Sequence, residues 1–173
     1  MRLAHLARAS VVLASLLALA PSARADEVKV PLKDVPKAIL DAVKAEFPRG
    51  ELKGAEKETE DGKTTFEVSL KDGGHAVDVS LKDDGTILEV EKEVAAGDLP
   101  AAVAAALKAK YPAATIKKAE EIVKHEAGKK ARSYEAIMAT GKETRVEVKL
   151  STEGKVLAEA KVEDEEDDDD KKD

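Results

Sequence analysis

The stretch 35–48 reads "VPKAILDAVKAEFP", and 64 positions later 99–112 reads "LPAAVAAALKAKYP". A chain that writes one phrase twice at a fixed spacing is built from two copies of one unit, so the repeat constrains the architecture before any other feature. In the first copy Val35, Ile39, Ala42, Val43 and Phe47 recur at helical spacing, and in the second Leu99, Val103, Ala106, Leu107 and Tyr111 do the same. Each set makes one apolar stripe. Asp34 and Asp98 stand before the phrases and are the expected N-caps, their carboxylates accepting from the first backbone N–H groups. Pro36 and Pro100 follow within the first turn, where a missing N–H costs nothing. Pro48 and Pro112 stop each helix, because the residue before a proline is pushed out of the α region. Each phrase predicts an amphipathic helix of about three turns.

After each helix the period changes to two. "TTFEVSL" alternates Phe66, Val68 and Leu70 with Glu67 and Ser69; "HAVDVSL" alternates Val77, Val79 and Leu81 with Asp78 and Ser80. The second copy answers with "SYEAIM" (Tyr134, Ala136, Met138) and "RVEVKL" (Val146, Val148, Leu150). Such alternation predicts half-buried strands. "EDGK", "KDGGH" and "KDDGT" are turn chemistry, answered by "ATGKE" and "STEGK". "HEAGKKAR" replaces "EDGK" in the second copy and is expected as a hairpin-loop insertion of about four residues. The reading is α+β, with two tandem repeats of one helix packed on a four-stranded antiparallel meander. One continuous eight-stranded sheet and two separate modules both satisfy the pattern. The fourth strand leaves its phase open: "TILEVEKEV" favours Leu88 and Val90 inward, whereas "KVLAEAKVE" favours the opposite phase through Val156, Ala158 and Ala160. A unit of about 65 residues has a marginal core on its own, so the copies are expected to share an interface.

The two ends of the chain lie outside the repeats. Arg2 and Arg8 precede the apolar run "ASVVLASLLALA", and "SARA" places Ala23 and Ala25 at signal-peptidase spacing. Residues 1–25 are therefore expected to be a signal peptide, too short to span a bilayer, with the repeats at 26–94 and 95–162. The full chain has 29 basic and 36 acidic residues; losing Arg2, Arg8 and Arg24 leaves 26 against 36, a formal charge of −10. That balance argues against nucleic acid and anionic lipid as partners. Cysteine is absent, so a disulfide framework and thiol chemistry are excluded. Residues 163–173, "EDEEDDDDKKD", have nothing apolar to bury and are expected to be a disordered tail. The tail is a solubilising segment or a weak, multivalent binder of Ca²⁺ or of a basic partner.

Catalytic chemistry is missing. His75 and His125 sit beside turn residues without Cys or carboxylate at metal-ligand spacing. "ATGKET" lacks the upstream glycine of a phosphate-binding loop, and "KDDGT" lacks the ligand spacing of a calcium loop, so both read as turns. No enzyme, resident metal or cofactor is expected.

The order of these motifs resembles the PepSY-like family, grouped with the beta-lactamase-inhibitor-like proteins. "VPKAILDAVKAEFP", "GAEKETEDGKTTFEVSL" and "VDVSLKDDGTILE" carry the likeness, and "LPAAVAAALKAKYP", "SYEAIM" and "VEVKLSTEGKVL" repeat it, over roughly 30–162. The resemblance implies an exported, non-catalytic tandem module, periplasmic or secreted, with helices on one sheet face and the other face free to grip a protein partner. In the inhibitor relatives the gripping face is rich in aromatics. Here the only aromatics, Phe47, Phe66, Tyr111 and Tyr134, all fall at core positions. The expected binding face is charged instead: Glu67, Ser69, Asp78, Ser80, Glu135, Arg145, Glu147 and Lys149. Binding or regulation of an envelope protein, including inhibition of an enzyme or peptidase, is the leading expectation. The alternative is an acidic cation-binding or structural envelope protein working through its tail.

Overall fold

The computed structural model describes residues 26–60, 62–126, 128–141 and 144–162, so the expected signal peptide and acidic tail lie outside the described residues. The elements are β1 (Asp26–Lys29), α1 (Lys37–Glu46), β2 (Glu51–Glu60), β3 (Lys63–Asp72), β4 (His75–Lys82) and β5 (Ile87–Glu93), then α2 (Ala101–Lys110), β6 (Thr115–Glu126), β7 (Lys129–Ala139), β8 (Arg145–Ser151) and β9 (Val156–Val162). The strands form one antiparallel sheet in chain order, β1 to β9. The architecture is α+β, and the alternative of two separate modules is overturned: β5 pairs directly with β6, Val90 opposite Val123 and Glu93 opposite Glu120.

Among the described residues the sheet has nine strands rather than eight because β1 repeats the role of β5. Lys29 pairs with Glu56 as Glu93 pairs with Glu120, 64 residues on. Val30 N–H donates to the Ala55 carbonyl at 2.8 Å and Val94 N–H to the Ala119 carbonyl at 2.9 Å. So β5 closes the first meander and opens the second, which is why the repeats fuse. Four residues of β1 are too few to show a period of two.

Neither aspartate caps its helix. Asp34 and Asp98 sit in short 3₁₀ turns, Leu32–Asp34 and Ala96–Asp98, while Pro36 and Pro100 hold the cap positions with no side-chain cap. Val35 and Leu99 are extended, at ψ 134° and 142°, as a residue before proline must be, so no helix starts until the proline is passed. Both are buried, pinning the entry to the core. From there Ile39 and Val43, and Val103 and Leu107, face the sheet with at most 1% exposure. Each helix ends as its stop residue, Phe47 or Tyr111, donates N–H to Val43 or Leu107 at 2.8 Å. Two core clusters result, one under each helix, centred on Phe66, Val68, Val77 and Val79, and on Tyr134, Ala136, Val148 and Leu150.

The β6–β7 insertion adds ladder, not loop. Relative to β2 and β3 it adds His125 and Glu126 to one strand and Lys130 and Lys129 to the other; these pair as two further rungs, His125 with Lys130 and Glu126 with Lys129. Equal additions to both sides keep a hairpin in register.

Phase in the fourth strand is settled by a bulge in each copy, between Ser80 and Leu81 and between Lys149 and Leu150. Val90 lies opposite Val79 on the helix side, while Leu88 falls at the bulge. In β9 only Val156 keeps the expected side, opposite Leu150; Ala158 and Ala160 lie opposite Lys149 and Glu147, on the face away from the helices. Backbone phase is therefore the same in both copies, and the apolar pattern of β9 misleads. Glu159 takes the place of Val90, where the Tyr111 hydroxyl and Lys110 Nζ both donate to its carboxylate. Those donors hold the Glu159 carboxyl below its usual range.

Candidate functional site

Residues alternate across a strand, so the register that buries Phe66, Val68, Val77 and Val79 under α1 turns their neighbours to the opposite face. All eight predicted residues stand there, seven of them in four cross-strand rows. One row runs Glu67, Ser80, Glu89, Lys124; the next runs Ser69, Asp78, Glu91, Ile122, Ser133. The third runs Glu93, Glu120, Glu135, Lys149, and the fourth Lys118, Ile137, Glu147, Ala160. Glu135, Glu147 and Lys149 come together, with Glu120 and Lys118 beside them. Arg145 stands apart at the sheet end, lining with Lys117 a polar cleft of about 340 Å³. Glu67, Ser69 and Ser80 lie on the first repeat's half.

Several of these side chains are far from exposed. Asp78 is 7% exposed, Glu147 4% and Ser133 9%, although they lie on the face away from α1 and α2. At the centre sit Glu120 (5%) and Ile122 (1%), both on β6 and neither foreseen from sequence. "AEEIVK" carries acids in both phases of a strand, so only its pairing with β5 and β7 tells which acid faces which side.

Burial raises the carboxyl pKa of Glu91, Glu135 and Glu147. Desolvation, then a hydrogen bond with Glu89 and the charges of Glu120, Glu89 and Glu135, pushes the Glu91 carboxyl up to about 8. Glu135 is raised to about 7, first by desolvation and next by Glu147, against the pull of Lys149. Glu147 is raised too, mainly by desolvation. Lysines answer part of the charge: Lys118 lies 2.8 Å from Glu120 and Lys124 2.9 Å from Glu89. The face is a partly desolvated acidic surface, suited to attracting cationic groups and to holding protons near neutral pH.

Elsewhere the expected turn chemistry appears. In "KDDGT" the Asp84 carboxylate accepts from Thr86 N–H at 2.8 Å, so that carboxylate belongs to the turn. Among the described residues no group of three or more His, Cys, Asp and Glu side chains could hold a metal ion, and no helix is long and apolar enough to cross a membrane.

Comparison with known families matches residues 23–89 and again 64–158 to the profile described as "Putative beta-lactamase-inhibitor-like, PepSY-like". Among solved structures, a BLIP-like protein from Bacteroides fragilis is similar at a TM-score of 0.60 and 20% identity, over 76% of this chain and 89% of that one. A DUF2874 family protein from Bacteroides ovatus gives 0.61 and 14%, over 76% and 91%. A protein from Bacteroides eggerthii described among "putative periplasmic proteins" gives 0.62 and 15%, over 75% and 90%. Comparison with curated proteins found no match. At these identities the solved structures speak to the fold alone.

Proposed function

The chain belongs to the PepSY-like, beta-lactamase-inhibitor-like family, and from that premise we propose that it is an exported, periplasmic, non-catalytic module that binds a protein partner through its helix-free sheet face. The observation that carries this reading is the crowding of Glu91, Glu120, Glu135 and Glu147 into adjacent rows of that face. Carboxylates outnumber lysines there, and a cation brought against Glu91 and Glu135 would displace the protons they hold near neutral pH, so the complementary partner surface is a basic segment of an envelope protein. Inhibition follows where that segment belongs to an enzyme or peptidase. Recognition of this kind gives a fast on-rate and moderate affinity.

The test is a pull-down from bacterial envelope extract with the chain immobilised, followed by kinetics on the captured partner. Raising salt from 0.1 M to 1 M shortens the Debye length from about 10 Å to about 3 Å and should slow association. Arg145→Glu with Lys149→Glu should raise the on-rate for a basic partner, and its thermal midpoint should fall, because Lys149 offsets the charge of Glu135 and Glu147. Deleting 163–173 should leave binding intact; loss of the partner on that deletion would move the function to the tail. A partner that ignores both salt and the charge reversal would refute the sheet-face reading.

A further inference from the structure

Repeat 2 carries, on the helix side, an apolar groove of about 400 Å³ that its own twin shows how to fill. The groove runs between α2 and the start of β6, over Leu107, Ile116 and Met138, with Ala96 and Ala104 on its walls. Sixty-four residues earlier the last two positions are Leu32 and Leu40, both partly buried and packed against the first core. Repeat 1 is closed there to the limit: a Cβ at Gly50 would fall inside contact distance of Leu70 Cδ1 and 3.1 Å from Phe47 Cβ. Repeat 2 has Ala114 at the matching place. Loss of two isopropyl groups, as Ala96 and Ala104 stand for Leu32 and Leu40, is thus what leaves the groove open.

Its rim has changed as well. Repeat 1 holds a carboxylate there, Glu51, ion-paired to Lys53 at 2.6 Å; repeat 2 holds Thr115. Exposed Lys108 lines the groove. It makes no ion pair among the described residues, and no acidic side chain is among those lining the groove. A largely apolar trough of a few hundred Å³, with Tyr111 and Thr115 in its lining and Lys108 as its one charged group, has the make-up of a small-molecule site.

We propose that this groove binds an aliphatic monocarboxylate, its chain lying where Leu32 and Leu40 lie in repeat 1 and its carboxylate pairing with Lys108. The site is separate from the sheet face and independent of the partner proposed there.

The experiment titrates the full chain with decanoate at neutral pH by calorimetry, and follows methyl resonances of Ile116 and Met138 against those of Leu52 and Leu70. Saturable one-to-one binding is expected, with shifts confined to the second repeat. Ala96→Leu with Ala104→Leu should abolish binding and raise the melting temperature, since it restores the filling of the first repeat. Lys108→Glu should weaken decanoate about tenfold, the loss of one charge-assisted contact, and leave binding of 1-decanol unchanged. Lys44→Glu, its counterpart in repeat 1, should change nothing. Absence of saturable binding up to about 1 mM, a range corresponding to about −4 kcal/mol, would overturn the proposal. So would normal binding by the plugged variant, or shifts centred on Leu52 and Leu70. Should the plugged variant fail to fold, the Lys108→Glu contrast between decanoate and decanol decides alone.

Discussion

Gly154→Ala is the most searching single substitution in this fold. Gly154 sits in the β8–β9 turn at φ +81°, against the first turn of α2. A Cβ there would lie 2.9 Å from the Ala102 carbonyl carbon, closer still to its oxygen, and 3.3 Å from Ala106 Cβ. Two costs add. Left-handed backbone costs a non-glycine residue roughly 1–2 kcal/mol, and the helix backbone cannot swing aside like a flexible side chain. Pushing hairpin and helix apart costs a further ~1–3 kcal/mol, as overpacking does. The sum is about 2–5 kcal/mol. Gly73→Ala supplies the control: its φ is +58°, yet nothing lies within 4 Å of the added Cβ, so only the first cost of about 1–2 kcal/mol applies. Urea denaturation measures both, and the midpoints should separate at unchanged slope. Gly85→Ala, whose Cβ would meet the Ala38 carbonyl oxygen at 2.7 Å, should behave like Gly154→Ala. Equal losses at Gly154 and Gly73 would show that the turn does not brace the helix.

Phe66→Ala and Tyr134→Ala, each 6% exposed in the wild type, should cost roughly 3–5 kcal/mol, against about 0.5 kcal/mol for Glu67→Ala; comparable losses in denaturation would mean the face assignments are inverted. Stability should also depend on pH through the sheet-face carboxylates. With Glu91 raised from 4.5 to about 8 and Glu135 to about 7, the folded chain keeps protons that the unfolded chain has released. Their contribution is full below pH 4.5 and is lost as pH rises through 7 and 8. The urea midpoint should therefore fall between pH 5 and pH 8, and Glu91→Gln should flatten that slope; a rising midpoint would contradict the burial of these groups.

Local chemistry alone determined the helices and most strands of this protein. Proline brackets the helices because its effects on its own φ and on the preceding residue act within two residues. Phe66, Val68 and Leu70 declare their strand because side chains alternate in any extended chain. Tertiary pairing decided the rest. Asp26–Lys29 became a strand only because β2 offers it the ladder that β6 offers β5. Glu159 turned to the helix side, against the apolar pattern of β9, because a bulge set the phase and Tyr111 and Lys110 were there to satisfy it. On the candidate face, Glu67, Asp78, Glu135 and Glu147 were legible from alternation. Glu91 and Glu120 were not, since which acids are crowded together depends on cross-strand neighbours far apart in sequence. The groove beside α2 has the same origin: Ala96 and Ala104 are visible in the sequence as departures from Leu32 and Leu40, but only packing against Ile116 and Met138 turns two missing side chains into a space.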